Sequence, residues 1–234
     1  GAKEILDLLS KDHSEANSSH DFGKDIIPSL VATNRLYAYN FYLNKIPGQK
    51  VQEKPYWRDV GTLKAYFEAN MDLRATTPHL DLYNPEWPIY NYHFSLPPAK
   101  FVHNEEVDIH GLPRIGKAIN SIVCDGCIVS GSTVTNSILF NSVYVHSYAT
   151  VHNSILLNDV DIGEHCRIRN AIIDKHNMIP PGTIIGYDRK QDEKHYLVTD
   201  LGTEYGPDAW LTVIPKDRHF LQKDLPKSLE THNY

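Results

Sequence analysis

Asn136-Ser137-Ile138 returns as Asn153-Ser154-Ile155 seventeen residues later. The triplet Asn-(Ser or Ala)-Ile occurs at 120–122, 136–138, 153–155 and 170–172, the last three starts seventeen apart and the first gap sixteen. Between triplets, an Ile or Val is followed six positions later by another: Ile128 and Val134, Val145 and Val151, Ile162 and Ile168, Ile179 and Ile185. Columns of β-branched residues at a fixed period require each turn of chain to lay its apolar side chains on those of the turn below. Seventeen residues are too few for a helix-turn-helix unit, and Val and Ile with Asn, Ser and Gly corners favour strands. The economical solution is a β-solenoid with one coil per repeat, its coils bonded strand to strand about 4.8 Å apart.

The six-residue spacing resembles the hexapeptide repeat of left-handed parallel β-helices, whose triangular coil takes three hexapeptides, about eighteen residues. A coil of seventeen implies one trimmed corner, and the face near Ile138, Ile155 and Ile172 fits the spacing least well. Pro180-Pro181-Gly182 punctuate the last coil. The charged run DRKQDEKH (188–195) reads as a solvated loop, and AWLTVIPK (209–216) as a final short strand.

Upstream, the pattern changes. Ile5, Leu8 and Leu9 predict a short amphipathic helix over 2–9, and the alternating aromatics of LYAYNFYL (36–43) a strand. Leu63, Tyr66, Phe67 and Met71 fall on one stripe of a helix over 61–73. Pro78, Pro85, Pro88, Pro97 and Pro98 then mark an extended connector. The expected organisation is an α/β remnant over 1–75, a connector over 76–100, a β-helix over 101–187, and a strand and tail over 188–234. About 75 residues are too few for a comfortable independent α/β domain, so the first unit is expected to be incomplete.

A net charge of −6 over 234 residues argues against broad nucleic-acid binding while leaving room for a small cationic phosphate pocket. No apolar run approaches the roughly 18 residues that span a bilayer, and the first residues lack the pattern of a signal peptide. Three cysteines fit a reducing compartment, so a cytoplasmic location is expected.

Two upstream motifs, SSHDFGKDIIP (18–28) and YWRDVGT (56–62), each place a carboxylate near an aromatic ring: Asp21 with Phe22, Asp59 with Trp57. A carboxylate fixes sugar hydroxyls or holds Mg²⁺, which prefers oxygen ligands shared with phosphates, and a ring covers the apolar side of a sugar. On spacing alone, the competing reading is structural, with Asp21 and Asp59 capping helices and Trp57 filling core.

HDFGKDIIP, YWRDVGTLKAYFEANMDL and SLPPAKF (95–101), in that order and followed by hexapeptide coils, resemble the bacterial ADP-glucose pyrophosphorylases, or glucose-1-phosphate adenylyltransferases. The resemblance covers most of the chain and weakens after about residue 187. It implies transfer of an adenylyl group from ATP to glucose 1-phosphate, giving ADP-glucose and pyrophosphate for glycogen synthesis. By motif match, Asp59 would be a catalytic, Mg²⁺-binding aspartate, and Asp21, Phe22 and Trp57 would line the glucose 1-phosphate pocket. The family's Gly-rich nucleotide loop, first metal-binding aspartate and sugar-phosphate lysine have no counterpart here. The chain therefore resembles the C-terminal half of such an enzyme and is expected to be inactive alone.

The family is homotetrameric and answers to small phosphorylated effectors. Lys175 aligns with a basic residue used for such anions, and Lys216 is a second candidate. Cys124-Asp-Gly-Cys127 reads as a coil corner rather than a zinc half-site. The coil histidines His146, His152 and His165 keep a hexapeptide acyltransferase open as an alternative. A non-enzymatic oligomerisation or regulatory fragment is another.

Overall fold

The computed structural model describes residues 2–31, 36–48, 55–92, 95–107 and 113–216. It divides into two compact units, 1–55 and 56–234.

The first unit holds α1 (Ala2–His13), longer than the predicted helix, a π-helical turn (Phe22–Ile26) and the short α2 (Ile27–Val31). The strand expected over 36–43 does not form. Residues 36–40 are irregular, and Phe41–Leu43 make a 3₁₀ turn capped by Asn40, whose side chain accepts the Tyr42 N–H at 3.1 Å. A strand needs a ladder partner, and the local cap of an Asn diverts the chain into a turn instead. Tyr37, Tyr39 and Tyr42 are exposed.

The second unit is a β-solenoid. One sheet stacks β1 (Lys100–Val107), β5 (Ile128–Ser130), β8 (Tyr144–Val145), β11 (Asp161–Ile162) and β14 (Met178–Ile179) in parallel, with β2 (Pro113–Ile115) antiparallel at its edge. A second stacks β3 (Lys117–Ile119), β6 (Thr133–Thr135), β9 (Thr150–His152), β12 (Arg167–Arg169) and β15 (Ile184–Ile185). The third stacks β4 (Ile122–Val123), β7 (Ile138–Leu139), β10 (Ile155–Leu156), β13 (Ala171–Ile173) and β17 (Trp210–Ile214), closed by antiparallel β16 (Leu197–Asp200). The core is three inward columns: Val129, Val145, Ile162, Ile179; Val134, Val151, Ile168, Ile185; and Leu139, Leu156, Ile173, Ile214.

Two details refine the repeat. In the first coil the inward residue is Val129, not Ile128, because Val129 pairs with Val145 and Ile128 with Tyr144. The Ile138, Ile155, Ile172 column points outward, into a second cluster with Phe67, Met71 and Leu211. Its poor fit to the inward spacing follows from that direction. Both sides of this sheet are buried, one by the coil and one by α3 (Leu63–Asp72) with the C-terminal hairpin.

The Asn column has a backbone cause. Asn120, Asn136, Asn153 and Asn170 all have φ near +50°, a left-handed corner that Asn tolerates. Two further corners recur at Gly126, Ser142, Asp159, His176 and at Gly131, Tyr148, His165, Gly182. From Asn136 the corners follow at six, six and five residues, so the short leg is the one ending in Asn153, the leg that carries β9. The first coil loses one more residue between Val129 and Gly131. Arg114 covers that corner, reaching Ser130 at 3.1 Å and Ser147 at 2.9 Å. Inside the Asn corners, serines climb the stack: Ser137 N–H donates to Ser121 Oγ, Ser154 N–H to Ser137 Oγ, and Ala171 N–H to Ser154 Oγ.

The two compact units part at Pro55, and the predicted helix α3 packs on the coils. The predicted loop over 188–195 is instead helix α4 (Arg189–His195). Asp188 caps it by accepting the Gln191 N–H, and Asp192, charged in sequence, is buried. One Asp192 oxygen accepts from Gly186 N–H, Trp210 Nε1–H and Thr212 Oγ1–H at 2.8–2.9 Å, tying the last coil to β17. The predicted final strand is β17, and the tail beyond Lys216 lies outside the described residues. Removing this acceptor strands three donors, so Asp192→Ala should cost roughly 3 kcal/mol. A clear fall in the urea midpoint is expected, and an unchanged midpoint would refute the tie.

Candidate functional site

Asp21 has extended backbone, and its Oδ1 accepts the N–H groups of Gly23 at 2.7 Å and Lys24 at 2.8 Å. It therefore caps the π-helical turn, as the structural reading expects. Around it, Asp25 accepts the Asp21 N–H at 3.1 Å and the Ser19 hydroxyl, while Asp12 accepts the Ser18 hydroxyl and faces His20. The hydroxyl bonds, from Ser18 and Ser19 respectively, hold Asp12 and Asp25 below the usual carboxylate range. Asp21 Oδ2 has no protein donor among the described residues, and the neighbouring Phe22 ring is 52% exposed. The cap uses Oδ1 alone, so it does not conflict with the ligand role expected of Asp21.

Trp57 and Asp59 belong to the second unit. Trp57 is 82% exposed, so it does not fill core. Asp59 does not cap α3; that falls to Thr62, whose Oγ1 accepts the Ala65 N–H at 3.1 Å. Asp59 Oδ1 instead accepts the Gly61 N–H at 2.9 Å in a tight local turn, and Oδ2 has no protein donor among the described residues. Arg58 between them pairs with Glu68 at 3.2 Å, and Lys64 bridges Glu68 at 3.7 Å and Glu204 at 2.6 Å. These bonds fix the loop to α3, and α3 to the solenoid, while the indole and one carboxylate oxygen face solvent. Among the described residues no group of three or more His, Cys, Asp or Glu is placed to hold a metal.

Lys175 and Lys216, far apart in sequence, stand on adjoining turns. The Asp174 N–H donates to Ile214 O at 3.0 Å, and the buried Asn177 amide donates to both Asp174 O (2.8 Å) and Pro215 O (2.9 Å). Lys175 and Lys216 follow these two tied carbonyls directly, and both are exposed.

Residues 2–76 match the nucleotidyl transferase family model, and residues 97–204 match the GlmU-like C-terminal hexapeptide model. A glucose-1-phosphate adenylyltransferase of Nitrosospira multiformis is 46% identical over 198 residues, 85% of this chain and 45% of the relative. Those of Anaeromyxobacter dehalogenans and Thermus thermophilus are each 50% identical, over 91% and 92% of this chain and 48% and 49% of theirs. The chain belongs to the glucose-1-phosphate adenylyltransferase family. It spans about half the length of the curated relatives it matches. The two family matches part at 76 and 97, where the prolines fall, and the solenoid is the family's left-handed hexapeptide β-helix. No helix among the described residues is long and apolar enough to cross a membrane.

In this family member the coil histidines occupy separate surroundings. His146 stacks on Tyr144 at 3.8 Å and pairs with Asp161 at 3.1 Å, while His165 stacks on Tyr148. His152 contacts Thr135 at 2.8 Å and lines a cleft with Arg74 and Arg169. Sequence reading missed those arginines. Their one signal was that Thr135, His152 and Arg169 form an outward polar column in register. Cys124 and Cys127 flank a coil corner. Burial pushes Cys127 and Cys166 each up to about 11, and raises Cys124 as well.

A thiol so held gains its reactive thiolate only as pH climbs toward 11. In the native chain at pH 8, Cys127 and Cys166 should resist a thiol reagent and react together on unfolding. Because these pKa values exceed the ordinary 9.0, the stability they contribute should be intact below pH 9 and decline as pH rises from about 9 to about 11. Rapid native labelling of either residue would contradict their burial.

Proposed function

We propose that this chain forms part of a glucose-1-phosphate adenylyltransferase, joining ATP and glucose 1-phosphate into ADP-glucose with release of pyrophosphate. The observation that carries this reading is the water-exposed ring of Trp57, two residues from Asp59, on a loop tied down by Arg58 and Asp59 Oδ1. A large aromatic held at the surface by a braced turn can offer its ring to a ligand.

In the proposed reaction a phosphate oxygen of glucose 1-phosphate attacks the α-phosphorus of ATP in line. The new O–P bond forms as the bond to the departing pyrophosphate breaks. No proton transfer by a side chain is required, so catalysis consists of positioning and charge neutralisation. In the first unit Phe22 would offer a ring and Asp21 Oδ2 an acceptor to the sugar; in the second unit Trp57 would offer a ring. Asp59 Oδ2, an exposed hard oxygen, suits Mg²⁺, which binds through one or two carboxylates plus waters and substrate phosphates. Bound there, Mg²⁺ would neutralise phosphate charge. The remaining nucleotide contacts are proposed to come from segments that the longer relatives carry. The adjoining Lys175 and Lys216 turns are proposed to take small phosphorylated effectors, and the assembly is proposed to be a cytoplasmic homotetramer.

The test uses a chain completed to its relatives' length with the N-terminal portion of the Thermus thermophilus protein. Asn makes the same local turn as Asp, so Asp59→Asn should leave the melting temperature unchanged while lowering kcat about a hundred-fold or more. Trp57→Ala should mainly raise KM for glucose 1-phosphate. Unchanged kinetics in both variants would refute the assignment.

A further inference from the structure

A cleft of about 550 Å³ at the solenoid surface has no part in the substrate reading. Arg74, just past the end of α3, lines it together with His152, Arg169, Asn170, Tyr205 and Trp210. Arg74 Nε is buried with no hydrogen-bond partner, and its nearest bond is a long one, Nη1 to Asn136 Oδ1 at 3.4 Å. Burying a guanidinium N–H without an acceptor costs free energy that a ligand oxygen would recover. Arg169 is held rigidly. Its Nε and Nη2 both donate to Gly186 O, at 3.0 and 2.8 Å, and its guanidinium lies over Tyr187 at 4.6 Å and near Trp210 at 5.9 Å. Its Nη1 hydrogens are left for the cleft, and no carboxylate pairs with either arginine among the described residues. The Asn170 amide oxygen is taken by Asn153 at 2.7 Å, which leaves the NH₂ group to donate. Asp208, exposed on the rim, is the one carboxylate in the lining.

The cleft thus presents donors with few acceptors, and two guanidinium groups match the oxygens of a phosphate dianion. The volume exceeds what a bare phosphate fills, and the Tyr205 and Trp210 rings supply a flat apolar side. We propose that this cleft binds a small organic phosphate, Arg74 and Arg169 taking the dianion and Tyr205 and Trp210 its apolar body. The bound ligand would join the end of α3, the coil leg bearing Arg169 and the loop before β17. Burial, then Arg169 and Arg74, push His152 below the usual imidazole range, so at neutral pH it adds no charge of its own.

Isothermal titration of the 234-residue chain with phenyl phosphate and with inorganic phosphate, at matched ionic strength, tests this. Saturable binding of phenyl phosphate is expected, at least several-fold tighter than of inorganic phosphate. Arg74→Gln should weaken it ten-fold or more, and Lys190→Ala, at an exposed position of α4, should leave it within two-fold. Should Arg74→Gln fail to fold, Asn170→Asp brings a negative charge to the same cleft at a left-handed corner that Asp tolerates, and should weaken binding similarly. The proposal is overturned by absence of saturable binding, by equal affinity for the two probes, by wild-type affinity in the folded cleft variants, or by loss of binding in Lys190→Ala. The readout needs neither ATP nor turnover, so it stands apart from the catalytic reading.

Discussion

Everything in the second unit depends on stacking one coil on the next in register. Each inward Val, Leu or Ile is worth about 1.5–3 kcal/mol when fully buried, but the gain requires identical corners at identical places. The corners are left-handed, a conformation that costs an ordinary L-residue roughly 1–2 kcal/mol. The chain meets that cost with Asn at one corner of each coil and with Gly at the first and last members of another, Gly131 and Gly182. Tyr148 and His165 carry the same conformation between those two glycines, where the Tyr148 ring stacks on His165. Alignment of the coils, more than any single contact, fixes the positions of all other parts.

The solenoid's third sheet is buried on both sides, and this makes it a platform rather than a free-standing rod. Ile138, Ile155 and Ile172 turn outward to receive Phe67 and Met71 of α3, and Leu211 from the returning C-terminal hairpin. Through α3 the platform holds the Trp57–Asp59 loop. Through Asp192 and Asn177 it holds the last coil to β17, and with it the turns of Lys175 and Lys216. Polar ties carry the precise placement, and apolar stacking carries the stability.

Much of this was legible in the residues. The seventeen-residue period follows from side chains that repeat because their surroundings repeat, and α3 follows from its apolar stripe. What escaped depended on partners distant in sequence. Asp192 looked like a solvated charge because its three donors include residues eighteen and twenty positions later. The Tyr-rich 36–43 segment alternates as a strand does, yet alternation does not supply a neighbour to pair with. Periodicity marks Ile138 and its relatives as a column without saying on which side of the sheet it lies. Asp21 and Asp59 were legible as motif carboxylates, but not that each holds local backbone N–H groups through Oδ1. Arg74 and Arg169 lie ninety-five positions apart and meet only in the fold.

The proposed role of the coils is a scaffold that presents the Trp57–Asp59 loop to a sugar phosphate. A crystal structure of the completed chain with glucose 1-phosphate and Mg²⁺ tests it most directly. A cation on Asp59 Oδ2 and a sugar ring against Trp57, with the solenoid unmoved, are the expected result. A fully enclosed ligand touching neither Asp59 nor Trp57 would contradict it.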